Sequence, residues 1–218
     1  MGAMGIQNLW KKHLGSVPDE VWEQTCIRTL ILADNDLTEI SPRIGRLQNL
    51  RTLDLGHNRL VTIPEELGDI AGLSDFLYLH DNELESLPAA LGRLQNLRYL
   101  NVSENRFASF PECVCSMASL IELRATDNKL TGLPQSLRKL SKLRELHLRN
   151  NALRTLPAEI AEMTELRQID LRGNPIERLP DAMLSLSRLE KVDLRWVDTL
   201  KLPAWLEEME KRGCLIYR

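Results

Sequence analysis

The chain has 218 residues, 43% of them hydrophobic, with 28 basic against 31 acidic side chains and a net charge of −3. That balance argues against a nucleic-acid binder, whose affinity comes largely from neutralising phosphates with a basic surface. No apolar run reaches the ~20 residues a helix needs to cross a bilayer, so a membrane role is not expected. The four cysteines, Cys26, Cys113, Cys115 and Cys214, are too few and too scattered for a disulfide framework and are expected to be reduced. Cys113 and Cys115 have no second pair at a spacing that would complete a zinc site.

The N-terminal stretch MGAMG runs into the polar segment Gln7 to His13, and no secretory signal is visible in it. Residues 1–3 have the look of a cloning remnant. Leu9, Trp10, Leu14, Val21 and Trp22 are expected to form an N-terminal cap over residues 1–26, which also holds a degenerate half-unit carried by Leu14, Val17, Pro18 and Val21. A strict repeat then sets in. Asparagines fall at Asn35, Asn58, Asn82, Asn105, Asn128, Asn151 and Asn174, each 23 residues after the last except for one step of 24. Prolines keep the same beat at Pro64, Pro88, Pro111, Pro134, Pro157, Pro180 and Pro203, whereas Pro42 comes one residue late, after Ser41. Two residue types in one period define a repeat architecture.

Eight units begin at Ile27, Leu50, Leu73, Leu97, Leu120, Leu143, Leu166 and Leu189. Counted from the first apolar residue of each, positions 1, 4, 6, 11, 14, 18 and 21 are apolar. Positions 4 and 6 are two apart, so they share the inner face of a short strand, and positions 3, 5 and 7 point outward. The position-9 asparagine turns the chain and offers its amide to backbone groups of the neighbouring turn. Proline at position 15 suits the first residue of a short helix, and the acidic residues after it, such as Glu65, Glu66 and Glu159, suit a helix N-terminus. No unit can bury its apolar face alone; stacking does that. Repeats are expected over 27–196, and the end of the last repeat with a C-terminal cap over 197–218, built on Trp205, Leu206, Met209 and Cys214 to Tyr217. The extra residue between Leu73 and Leu77 predicts a bulge or looser strand. Ala125 at position 6 leaves room for Phe107 or Phe110.

These residues resemble the leucine-rich-repeat family, in its 23-residue class with the L-P-x-x-[IL]-x-x-L ending, which intracellular Ras-group scaffolds and many bacterial proteins share. The resemblance implies an α/β solenoid: a right-handed horseshoe with a concave parallel β-sheet and convex short helices or 3₁₀ turns. It also implies partners that lie against the concave sheet.

No phosphate-binding loop, dinucleotide fingerprint, zinc-protease helix or nucleophile elbow is present, so no catalytic residue, cofactor or metal is expected. His57 and His80 with Asp54 and Asp81 are the one arrangement close enough for acid/base or metal chemistry. A solvated polar row accounts for them better, since catalysis wants a closed, water-poor pocket that a horseshoe lacks. The outward positions carry two features. Phe76, Tyr78, His80 and Tyr99 cluster on neighbouring strands, as aromatic interface anchors do, unless Phe76 folds inward beside the extra residue. Arg124, Arg149, Arg172 and Arg195 form a basic ridge, with His147 and Trp196 beside it, unless Asp170 and Asp193 simply pair with the arginines. The expected function is a non-catalytic, monomeric, cytoplasmic scaffold that binds a protein or peptide partner through its concave face. The alternative is the recognition arm of a larger enzyme or a host-targeting effector secreted by a signal-less route.

Overall fold

Apolar residues two apart can be buried together only if the chain is extended between them, and each such pair lies in or beside a three-residue strand. The computed structural model describes residues 5–218; the reading of residues 1–3 as a remnant lies outside the described residues. Ten strands form one sheet in chain order: β1 (Ile6–Asn8), β2 (Thr29–Ile31), β3 (Thr52–Asp54), β4 (Phe76–Tyr78), β5 (Tyr99–Asn101), β6 (Glu122–Arg124), β7 (Glu145–His147), β8 (Gln168–Asp170), β9 (Lys191–Asp193) and β10 (Leu215–Tyr217). All are parallel, and like positions of successive repeats lie side by side, as in Thr52 beside Phe76 beside Tyr99 beside Glu122. A column of the sequence repeat therefore becomes a row across the sheet.

Two of these strands lie outside the eight repeats that the periodicity marks. β1 is the strand of a further, complete unit whose second half holds Leu14, Val17 and Val21. Its pattern is hidden because Lys12 stands where the asparagine would be. At the other end an α-helix (α1, Trp205–Lys211) replaces the outer turn, buries Leu206 and Met209, and leads into β10.

The outer segments are five-residue 3₁₀ helices, each closed by a bond such as Leu67 N–H to Pro64 C=O at 3.2 Å. The prolines sit one residue earlier than expected. Pro64, Pro88, Pro111, Pro134, Pro157 and Pro180 are the residues before the first helical one, extended at φ between −75° and −62°. Only the late Pro42 lies inside its helix, with Ser41 as the cap whose Oγ accepts the Arg43 N–H at 3.3 Å. The extra residue of the third unit is absorbed before the strand. Elsewhere one carbonyl accepts two successive N–H groups of the next repeat, but here Arg98 and Tyr99 donate separately to Ser74 and Asp75. β4 itself keeps its register.

One continuous apolar core runs from Val21 to Cys214 and includes Phe107, Phe110 and the small Ala125. The asparagines join its layers. Nδ2 of Asn105 donates to the carbonyls of Leu79 (2.9 Å), Val102 (3.2 Å) and Ser103 (3.0 Å), and its Oδ1 accepts the Leu84 N–H at 3.0 Å. Two of those partners belong to the preceding repeat, so each amide ties two turns together through both its donor and its acceptor ends. Asn58, Asn82, Asn151 and Asn174 repeat the arrangement. Asn105→Ala is expected to lower stability by about 3 kcal/mol, since buried backbone groups lose their partners. Gln168→Ala on the open face should cost less than about 0.5 kcal/mol. Urea unfolding of the two variants measures both, and equal shifts would refute the structural role of the amide.

Candidate functional site

All the outward residues singled out from the sequence lie on the concave sheet or at its rim, but they form two different surfaces. The first is aromatic. Phe76 and Tyr78, two apart on β4, hold their rings near-parallel with centroids 5.9 Å apart. Tyr99 on β5 leans against both, at 5.4 Å from Phe76 and 5.1 Å from Tyr78. Phe76 does not fold inward; it is 42% exposed, because the extra residue is taken up before the strand. Burial pushes the Tyr99 hydroxyl up to about 12, and it raises Tyr78 with help from the Asp54 and Glu122 carboxylates. Both phenols are therefore neutral at physiological pH.

His80 extends this surface, its ring 6.0 Å from Tyr78 and edge-on to His57 at 4.7 Å. The imidazole lies directly over Gly56, where an added Cβ would come within 2.3 Å of its Cε1. Gly56 is thus glycine for room. Burial, and then the neighbouring His57, lower the His80 pKa against the pull of Asp54, Glu104 and Asp81. His57 Nδ1 is 2.6 Å from Asp81 Oδ2, so this pair is an ion-pair or hydrogen-bond partnership on an open face.

The second surface is the arginine ridge, and of the two readings the sequence leaves open, the structure shows the arginines paired with carboxylates. Arg172 makes a bidentate pair with Asp170, at 2.8 and 2.5 Å, and lies 3.5 Å from Asp193. Arg195 makes a bidentate pair with the same Asp193, at 2.9 and 2.7 Å. Arg149 is held by Asp127 at 3.0 Å and Arg124 by Glu122 at 2.6 Å. Asp193 is only 1% exposed. Burial by itself raises its carboxyl, but the bonds from Arg195 and the charge of Arg172 outweigh that and hold it below the usual carboxylate range. The ridge is a neutral lattice of alternating charge, and its inner members are structural.

At the rim, the residue before each asparagine has left-handed backbone. Asp34, His57, Asp81, Glu104, Asp127, Asn150 and Gly173 have φ between 51° and 66°, which Asp, Asn and Gly tolerate best. Trp196 adopts φ 60° in the same place and is 66% exposed, a costly conformation for a bulky residue. Arg195 lies between the Trp196 ring (5.8 Å) and the Tyr217 ring (5.4 Å), and Lys191 is 5.3 Å from Tyr217. The sequence marks Tyr217 only as part of the C-terminal cap and not as a surface residue, because nothing in the repeat shows that the C-terminal segment returns to the sheet.

The residues weighed from the sequence as a metal set, His57, His80, Asp54 and Asp81, do not converge as ligands. The only group that does, among the described residues, is Glu122, Glu145 and His147, whose ligand atoms lie within 4.8 Å of one another. Register creates it, since Glu122 and Glu145 are cross-strand neighbours. Those three residues could hold a divalent ion, although Arg124 already neutralises Glu122. Two hollows open on the concave face. One of about 260 Å³ is bordered by Arg124, His147, Arg149 and Arg172, and one of about 200 Å³ by Phe76, Arg98, Tyr99 and Glu122. Both are smaller than the roughly 300–1,000 Å³ of small-molecule sites, while a third hollow of about 460 Å³ lies at the rim by Trp10, Asp34, His57 and Asp81.

Profiles of the leucine rich repeat match residues 26–84, 118–176 and 141–197, and a second profile of that name matches 96–117. The chain therefore belongs to the leucine-rich-repeat family. Among solved structures, it is similar to a leucine-rich-repeat protein of Leptospira interrogans, with a TM-score of 0.54 and 28% identity over 93% of this chain and 63% of that one. It is also similar to the plant peptide hormone receptor RGFR1, solved in complex with RGF2, with a TM-score of 0.74 and 32% identity over 83% of this chain and 30% of that one. The chain thus spans less than two thirds of either. No curated protein matches it by sequence.

Two outcomes follow from this geometry. Arg172→Ala should cost about 2–3 kcal/mol, because it strips a partner from buried carboxylates, while the exposed convex Arg138→Ala should cost under about 0.5 kcal/mol. Asp193 titrates below its unfolded value, so its stabilisation is complete above about pH 4 and is lost as pH falls through the depressed native pKa. Asp193→Asn should flatten that acid limb in a pH series of urea unfolding curves. Separately, Gly56→Ala should displace the His80 ring, shifting its imidazole NMR resonances while the chain stays folded; unchanged resonances would contradict the close approach.

Proposed function

We propose that this chain is a non-catalytic scaffold that binds a protein or peptide partner on its concave sheet, anchored by Phe76, Tyr78 and Tyr99. The observation that carries the reading is a cluster of three mutually contacting aromatic rings on an open sheet, with Phe76 42% exposed. Large aromatics in water are costly, and interfaces use them as hot spots. The receptor neighbour, solved with its peptide hormone, lends the reading support. Ten strands spaced roughly 4.8 Å apart make an arc of about 43 Å, wide enough for a standard interface. The four cysteines are free, which supports action in a reducing compartment such as the cytoplasm. A second reading, the recognition arm of a longer protein, draws on the 63% and 30% shares of the matched chains.

The test is a partner recovered by pull-down and then measured against variants. Tyr78→Ala and Tyr99→Ala should each weaken it by about 2 kcal/mol or more, with circular dichroism unchanged because both rings lie outside the core. Glu66→Ala and Arg138→Ala on the outer face should be silent. Normal binding by both tyrosine variants, with loss in the outer-face ones, would move the site to the convex side.

A further inference from the structure

The outward positions of the sheet divide into two halves of different charge. In β6 to β9 and the turns after them, Glu122, Asp127, Glu145, Asp170 and Asp193 face an equal number of bases, most of them in direct ion pairs. In β2 to β5 and their turns, the corresponding positions hold Asp34, Asp54, Asp81 and Glu104 and no lysine or arginine. Lys11 reaches Asp34 at 3.6 Å and His57 reaches Asp81. Asp54 and Glu104 have no ion-pair partner among the described residues.

The aromatic cluster sits in this uncompensated half, between two carboxylates. Asp54 is the cross-strand neighbour of Tyr78 on one side, and Glu122 is that of Tyr99 on the other. Cross-strand neighbours have Cβ atoms about 5 Å apart, so both acids border the rings. Arg124 spends its Nε on Glu122, at 2.6 Å, which leaves Asp54 as the free acid beside the rings. The π-faces of neutral tyrosines and phenylalanine attract cations, and an adjacent carboxylate adds to that attraction. The low His80 pKa leaves the Tyr78 side of the patch without a histidine charge at neutral pH. Arg98 and Arg124, by contrast, border the Tyr99 side, so the incoming cation belongs on the Asp54 side.

Building on the concave-face reading above, we propose that the Phe76–Tyr78–Tyr99 cluster with Asp54 is a cation-accepting subsite, and that the partner is a basic peptide segment placing a lysine or arginine side chain against the tyrosine faces. The arginine half of the sheet, already neutralised from within, is not the electrostatic anchor.

A phage-displayed library of random linear dodecapeptides, panned on the full chain and counter-panned on the folded Tyr78→Ala/Tyr99→Ala variant, isolates peptides that depend on the patch. The expected consensus carries a lysine or arginine at one fixed position. In fluorescence anisotropy with the synthetic consensus peptide, norleucine at that position should weaken binding at least tenfold. Asp54 Oδ1 accepts the Gly56 N–H at 3.0 Å, a bond that Asp54→Asn keeps, so this variant should weaken the basic peptide severalfold and leave the norleucine peptide unaffected. Patch-dependent peptides that are acidic or neutral, or a silent norleucine exchange, would overturn the cation subsite and leave the concave-face reading standing. Peptides that are all removed by counter-panning, or no enriched peptide at all, would overturn both.

Discussion

The hydrogen bonding of one side-chain amide per turn is the constraint on which this molecule depends. A three-residue strand is too short to hold its register through backbone bonds alone, and each turn leaves buried N–H and C=O groups at the strand's end. The asparagine satisfies those groups in its own turn and in the preceding one, with bonds of about 3 Å on every side, as Asn58 does with Leu32, Leu55, Gly56 and Leu37. Because an unpaired buried polar group is expensive, the amide allows only one offset between repeats. Register follows, and from register follows which outward side chains are neighbours.

That dependence explains how the two surfaces of the sheet arise. In-register stacking puts like positions side by side, so position 3 brings Phe76 to Tyr99 and also brings Glu122 to Glu145. Like charges in direct opposition are unfavourable. Arg124 and His147 answer them here, as Arg172 and Arg195 answer Asp170 and Asp193 further along. Ion pairs between neighbouring turns repeat the device on the outer side, as in Glu23 with Arg46 and Arg154 with Glu177. The aromatic rows have no such internal complement. They lie between Asp54, which has no ion-pair partner among the described residues, and Glu122, which Arg124 neutralises.

Strain falls on the same columns. The residue before each asparagine must turn left-handed to bring the amide under the strand, and most repeats meet this with Asp, Asn or Gly. Where the position holds Trp196, the chain accepts both a disfavoured backbone and a large exposed ring, stacked through Arg195 with Tyr217. At Gly56 the logic is reversed, since a missing side chain makes space for the next repeat's His80.

The periodicity of leucine, asparagine and proline by itself determined the fold, because each repeated residue answers a local requirement that stacking multiplies. It also determined the outward addresses of Phe76, Tyr78, Tyr99 and the arginines, since a strand's alternation admits only two faces. It did not reveal β1 or β10, whose segments lack the asparagine and depend on pairing with the neighbouring strand. Nor could it decide whether Phe76 turned in or out, or whether Arg172 and Arg195 were free. Those depend on where one extra residue is absorbed and on which carboxylate each guanidinium reaches. Only the tertiary structure settles such matters, because they are contests between side chains that sequence spacing places equally close.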